Sequence, residues 1–134
     1  YLISTVLGII CIRLAIHFEY VISPFFIALL LWYPALENLF SIVRRVIYQK
    51  KNANLADNYH LHHLIFQYIN KKFNNKAFIN PLTGIIINLG IFIFIYFATI
   101  FANQTSVLIA LIVLKSFIYT ITYFWLLNTK KNYN

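Results

Sequence analysis

Residues Pro81–Ala102 contain no charged side chain, and Val107–Leu127 contain only Lys115. A helix rises about 1.5 Å per residue and the hydrocarbon core of a bilayer is about 30 Å thick, so roughly 20 apolar residues are enough to cross it. Two further stretches have the same character. One runs from about Leu2 to Phe18 and is interrupted by Arg13; the other runs from about Val21 to Val43 and is interrupted by Glu37. Inside lipid every backbone N–H and C=O must find its partner within the chain, so such segments form helices rather than strands. The 134 residues are 61% hydrophobic and 10% charged, with a mean hydropathy of +0.74. A soluble domain of that size has too little interior to hide so much apolar surface. The reading is an all-α integral membrane protein with four transmembrane helices (about 2–18, 21–43, 81–102 and 107–127). One long cytoplasmic loop, about 44–80, carries a short helix. The chain begins inside an apolar run, and is read as part of a larger multi-span fold.

The net charge of +8 would suggest nucleic acid on a soluble protein. Here its distribution follows membrane topology instead. Arg44, Arg45, Lys50, Lys51, Lys71, Lys72 and Lys76 fall between the second and third spans, and Lys130 and Lys131 fall in the tail. The short connections around Glu19 and around Gln104 carry no lysine or arginine. Positive residues stay on the cytoplasmic side, so the long loop and the tail are expected there, with the two short turns outside. The lone Cys11 sits in an apolar run, as a small buried hydrophobe would.

The loop is the segment with room for chemistry. Three of the four histidines, His60, His62 and His63, fall in "DNYHLHHLIF", beginning at the only aspartate, Asp57. Asp57 is a suitable N-cap, and Leu61, Leu64, Ile65, Tyr68 and Ile69 then follow helical spacing as an apolar stripe. A helix starting there places His60 and His63 on one face and turns His62 about 200° away from His60. The cluster can be read as a zinc site, as a polar surface, or as an anion or nucleotide site at a helix N-terminus. One short helix cannot aim all three imidazoles at a single ion.

Arg44 and Arg45 leave the second span. They serve as membrane anchors or as planar, bidentate phosphate binders. Glu37 lies near the inner end of that span, where an ionisable group is costly and hence a functional candidate; Pro34 should kink the helix nearby. Lys115 lies near the middle of the fourth span with no role apparent. Trp32, Trp125 and Tyr123 read as membrane aromatics.

These residues also carry a resemblance. "YPALENLFSIVRR" followed by "DNYHLHHLIF" resembles the C-terminal part of the polyprenyl-phosphate sugar-1-phosphate transferases, the MraY/WecA-like enzymes of glycosyltransferase family 4. Pro34, Glu37, Arg44, Arg45, Asp57, His60, His62 and His63 match in order. Asn38 stands where the family has threonine, Asn58 where a basic residue is common, and "NANLAD" where a small-Pro-Phe stretch is usual. The resemblance implies transfer of a sugar-1-phosphate from a UDP-sugar to a polyprenyl phosphate such as undecaprenyl phosphate, with release of UMP, at a bacterial inner membrane during cell-envelope glycan synthesis. It also implies magnesium, held mainly by aspartates on earlier loops that are absent from this sequence. The implied substrate-binding residues are His60, His62, His63, Arg44, Arg45, Asp57 and Glu37. No catalytic group or metal ligand is assigned within these residues, and they are expected to be inactive alone. A non-enzymatic four-helix membrane subunit or transporter piece remains the alternative.

Overall fold

The computed structural model describes residues 2–48, 59–73 and 76–131. Six helices follow in order: α1 Leu2–His17, α2 Pro24–Leu30, α3 Trp32–Val43, α4 Leu61–Lys72, α5 Lys76–Ile100 and α6 Thr105–Lys131. A π-helical turn, Arg44–Tyr48, extends α3, and no strand occurs among the described residues. The expected all-α class is therefore observed.

Two of these helices are long and apolar enough to cross a membrane, over Phe78–Ile100 and Thr105–Lys130. The α2–α3 pair makes a third span if the two halves are one broken helix, bent by 66° between Leu30 and Trp32. Pro34 explains where the bend falls. Its ring collides with the carbonyl four residues earlier, that of Leu30, and it has no N–H to donate there. Helix α2 accordingly ends at Leu30, and the next helix restarts with Ala35 donating to the Leu31 carbonyl at 3.2 Å. Helix α1 is shorter than a full span and touches the rest mainly through α2. Large apolar side chains such as Ile85, Leu89 and Phe92 stand exposed along α5. Water would penalise such a surface, whereas lipid would not.

The α2–α3 pair runs parallel to α6, and polar contacts join them along their length. Ser23 meets Thr105 at 2.9 Å, Trp32 donates its indole N–H to Ser116 at 3.0 Å, and Tyr119 donates to Glu37 at 2.9 Å. Arg44 donates to the Tyr123 hydroxyl at the far end. Interhelical hydrogen bonds of this kind are a main source of helix association where no hydrophobic force operates between spans. Ser23 N–H also bonds the Ala102 carbonyl at 2.8 Å, so the two short turns expected outside lie at one end of the molecule. At the other end, Lys130 of α6 lies 4.1 Å from the centre of the Tyr59 ring, just ahead of α4.

The loop helix packs under the bundle, against α5 and α6. Its expected apolar stripe does the packing: Leu61, Leu64 and Ile69 are buried, and Ile65 and Tyr68 pack beside them. Leu61 and Leu64 share a cluster with Trp32, Tyr119, Tyr123 and Leu126. Trp32 and Tyr123 are thus core residues rather than lipid-facing aromatics, because their polar tips find partners inside the protein. Trp125, with 53% of its surface exposed, keeps the expected outward position.

Candidate functional site

Helix α4 does not begin where the sequence suggested. His60, with φ −66° and ψ 150°, is extended and occupies the N-cap, and the first helical residue is Leu61. The His60 side chain makes no capping bond. The cap comes from α3 instead: Glu37 Oε1 accepts the Leu61 N–H at 2.6 Å and the His60 Nδ1–H at 3.1 Å. Its other oxygen, Oε2, accepts the Tyr119 hydroxyl. A helix N-terminus carries partial positive charge and orphan N–H donors, and a carboxylate answers both. The anion at this helix start is the protein's own. The expected reason for a ligand anion to sit there is correspondingly removed.

This start also rearranges the histidines. The 100° rule applies only between helical residues, and His60 is not one. The His60 and His62 rings stack at 5.5 Å between centroids with 13° between planes, and the His62 and His63 rings lie 4.3 Å apart. All three imidazoles therefore form one cluster, and the expected divergence of His62 is not observed. His62 is exposed, while His60 and His63 are half-buried. The His62 pKa lies below the ordinary imidazole value. Partial burial is the largest cause, and repulsion from His63 and His60 adds to it against an opposing pull from Glu37. A neutral ring there still offers one N–H donor and one acceptor.

His62 and His63 line an open groove of about 430 Å³ with Phe66 of α4 and Asn80, Thr83, Gly84 and Ile87 of α5. It combines imidazole and amide groups with the apolar Phe66 and Ile87, and the Thr83 hydroxyl in it donates to the Ile79 carbonyl at 2.8 Å.

The two arginines differ. Arg44 is buried, donates to the Tyr59 carbonyl at 2.6 Å, and lies over the Tyr59 and Tyr123 rings at 5.4 and 5.6 Å. It ties the chain entering α4 to α3 and α6. Arg45 is half-exposed, with its Nε–H bonded to the Ser41 carbonyl one turn back at 3.2 Å. Only Arg45 has the exposure expected of a phosphate binder. Asp57 lies outside the described residues.

No group of three histidine, cysteine, aspartate or glutamate side chains is placed to hold a metal among the described residues. Magnesium favours carboxylate oxygens, and both oxygens of Glu37 are engaged by His60, Leu61 and Tyr119. The described residues do not fit a magnesium site.

Tyr119 and Tyr123 complete the site although they are neither acids, histidines nor arginines, and Lys115 lies one turn before Tyr119 on α6. Their signal is a four-residue spacing: Lys115, Tyr119 and Tyr123 mark one face of α6, where Tyr119 meets Glu37, Tyr123 meets Arg44 and Lys115 lies over Trp32. Comparison with protein-family models, with curated proteins and with solved structures found no match.

Proposed function

We propose that this chain is the nucleotide-sugar-recognising part of a polyprenyl-phosphate sugar-1-phosphate transferase with four spans, its histidine-bearing end facing the cytoplasm of a bacterium. The observation that carries the reading is the convergence of the motif residues. Glu37, Arg44, His60, His62 and His63 come from two segments of sequence and meet at one junction of α3, α4 and α6. Glu37 and Arg44 position that junction from within. His62 and His63 offer hydrogen-bond donors along the groove, and Arg45 supplies a guanidinium outside it. A UDP-sugar would set its diphosphate against these donors, which become stronger anion ligands when an imidazole is protonated. The lipid phosphate would approach from the membrane side. Magnesium would need carboxylates from beyond these residues, so recognition is assigned to this chain and transfer is not.

The test is a titration of the purified chain in lipid nanodiscs with UDP. Saturable binding is expected, weakened about tenfold by His63→Ala through loss of one charge-assisted hydrogen bond. A folded chain that binds no UDP at millimolar concentration would overturn the reading. Radiolabelled sugar phosphate should not move to undecaprenyl phosphate when the chain is supplied alone with magnesium. Turnover in that assay would show that Glu37 or Asp57 suffices for the chemistry.

A further inference from the structure

Lys115 lies near the middle of α6, about two residues or 3 Å along the axis from the centre of its apolar stretch. Only 6% of its surface is exposed, and its Nζ has no hydrogen-bond acceptor among the described residues. The ammonium instead sits over the rings of Trp32 at 4.8 Å and Phe94 at 5.4 Å. Aromatic faces attract a cation but accept none of its three N–H donors as a carboxylate would. The same lysine lines an apolar groove of about 270 Å³ walled by α5 and α6, beside Ile87, Gly90, Phe94 and Ile118, with Trp32 of α3 and Leu61 of α4 also lining it. A side chain added at Gly90 would meet nothing within 4 Å.

We propose that this groove receives a further transmembrane helix carrying one carboxylate at mid-depth, and that the carboxylate pairs with Lys115. Charge complementarity selects an anion: a buried cation in lipid is retained when it is paired. Depth selects a helix over a lipid. Phosphate and fatty-acid head groups lie at the interface, about 15 Å from the midplane, whereas a side chain on a crossing helix can carry its charge to the middle. The open space at Gly90 suits close approach of helix backbones, which small residues permit. The groove volume admits side chains of the incoming helix, which lies across the mouth between α5 and α6.

The probe is a poly-leucine single-span helix with one central glutamate, co-reconstituted with the whole chain in phosphatidylcholine nanodiscs and followed by fluorescence energy transfer. Association at least tenfold stronger than that of the all-leucine helix is expected. Moving the glutamate by two turns toward either end should remove the gain. Lys115→Met and Gly90→Leu should each reduce association to the all-leucine level, and Lys115→Arg should retain most of it. Because the glutamate is changed on the probe, the result does not depend on a variant of the chain folding. Equal association of the glutamate and leucine helices would overturn the proposal, as would glutamate-dependent association that survives Lys115→Met. Loss of the association when phosphatidylglycerol replaces part of the phosphatidylcholine would assign the groove to anionic lipid instead, and overturn it too.

Discussion

Glu37 of α3 caps helix α4 across the fold: its Oε1 accepts the Leu61 N–H at 2.6 Å from 24 residues away in sequence. The same carboxylate holds the His60 ring and the Tyr119 hydroxyl. Three elements therefore depend on one side chain. Glu37→Ala leaves a helix N–H, an imidazole and a phenol without their acceptor, each costing about 1–3 kcal/mol when buried. The expected outcome is a loss on the order of 3 kcal/mol with rapid amide exchange from Leu61 to Leu64, while exchange in α5 is little changed. Glu37→Gln keeps one acceptor oxygen and should lose less. Hydrogen exchange read by mass spectrometry checks both; unchanged protection of α4 in the alanine variant would exclude the capping role.

The paired arginines should separate stability from binding. Arg44 is buried against Tyr59 and Tyr123, so Arg44→Ala removes hydrogen bonds from a charged donor, worth roughly 1.5–3 kcal/mol each. Its melting temperature in detergent should fall clearly. Arg45→Ala should melt like the parent, yet bind UDP about tenfold more weakly. Paired melting and titration curves decide this. A reversed pattern would move the phosphate contact to Arg44.

Acid should weaken the fold at His62. Its folded pKa is lowered, chiefly by partial burial and then by its histidine neighbours. In the window between that lowered value and the unfolded value of about 6.5, the unfolded chain holds the extra proton. Stability from this residue is full above about pH 6.5 and is lost as pH falls through the window. His62→Gln removes the titration. The parent should therefore lose more melting temperature than the variant between about pH 8 and about pH 5. Parallel slopes in the two proteins would rule out His62 as the group responsible.

Periodicity was enough to read α5, α6 and the buried stripe of α4, because each rests on local repetition: apolar length for the spans, and Leu61, Leu64 and Ile69 at helical spacing for the loop. The break after Leu30 was legible in Pro34, since the clash it makes is also local. The start of α4 was not legible. Asp57 has the right chemistry for a cap, but the structure draws the capping oxygen from Glu37 on another helix, and no sequence window spans that contact. The grouping of His62 with His60 was missed for the same reason, because it follows from where the helix begins. Arg44 and Arg45 are alike in sequence and differ only in which way the π-helical turn faces them. The inward aromatics Trp32 and Tyr123 needed partners on a distant helix, Ser116 and Arg44, to be told from lipid-facing ones.

The orientation proposed for the membrane rests on charge and is open to direct labelling. Among the described residues, the turn joining α5 and α6 is bonded to the turn before α2, so Gln104 and Ser23 share one end. Arg44, Lys71, Lys72 and Lys130 lie toward the other end, with the histidine cluster. On the proposed orientation, retention of lysine and arginine on the cytoplasmic side would put the cluster inside the cell. With Cys11 first replaced by alanine, a cysteine introduced at exposed Gln104 should react with a membrane-impermeant thiol reagent added to intact cells. A cysteine at exposed Asn70 on α4 should react only after the cells are opened. Labelling of Asn70→Cys from outside would invert the protein. The groove of His62 and His63 would then face away from the cytoplasmic pool of nucleotide sugars, and the proposed recognition of a UDP-sugar would fail with it.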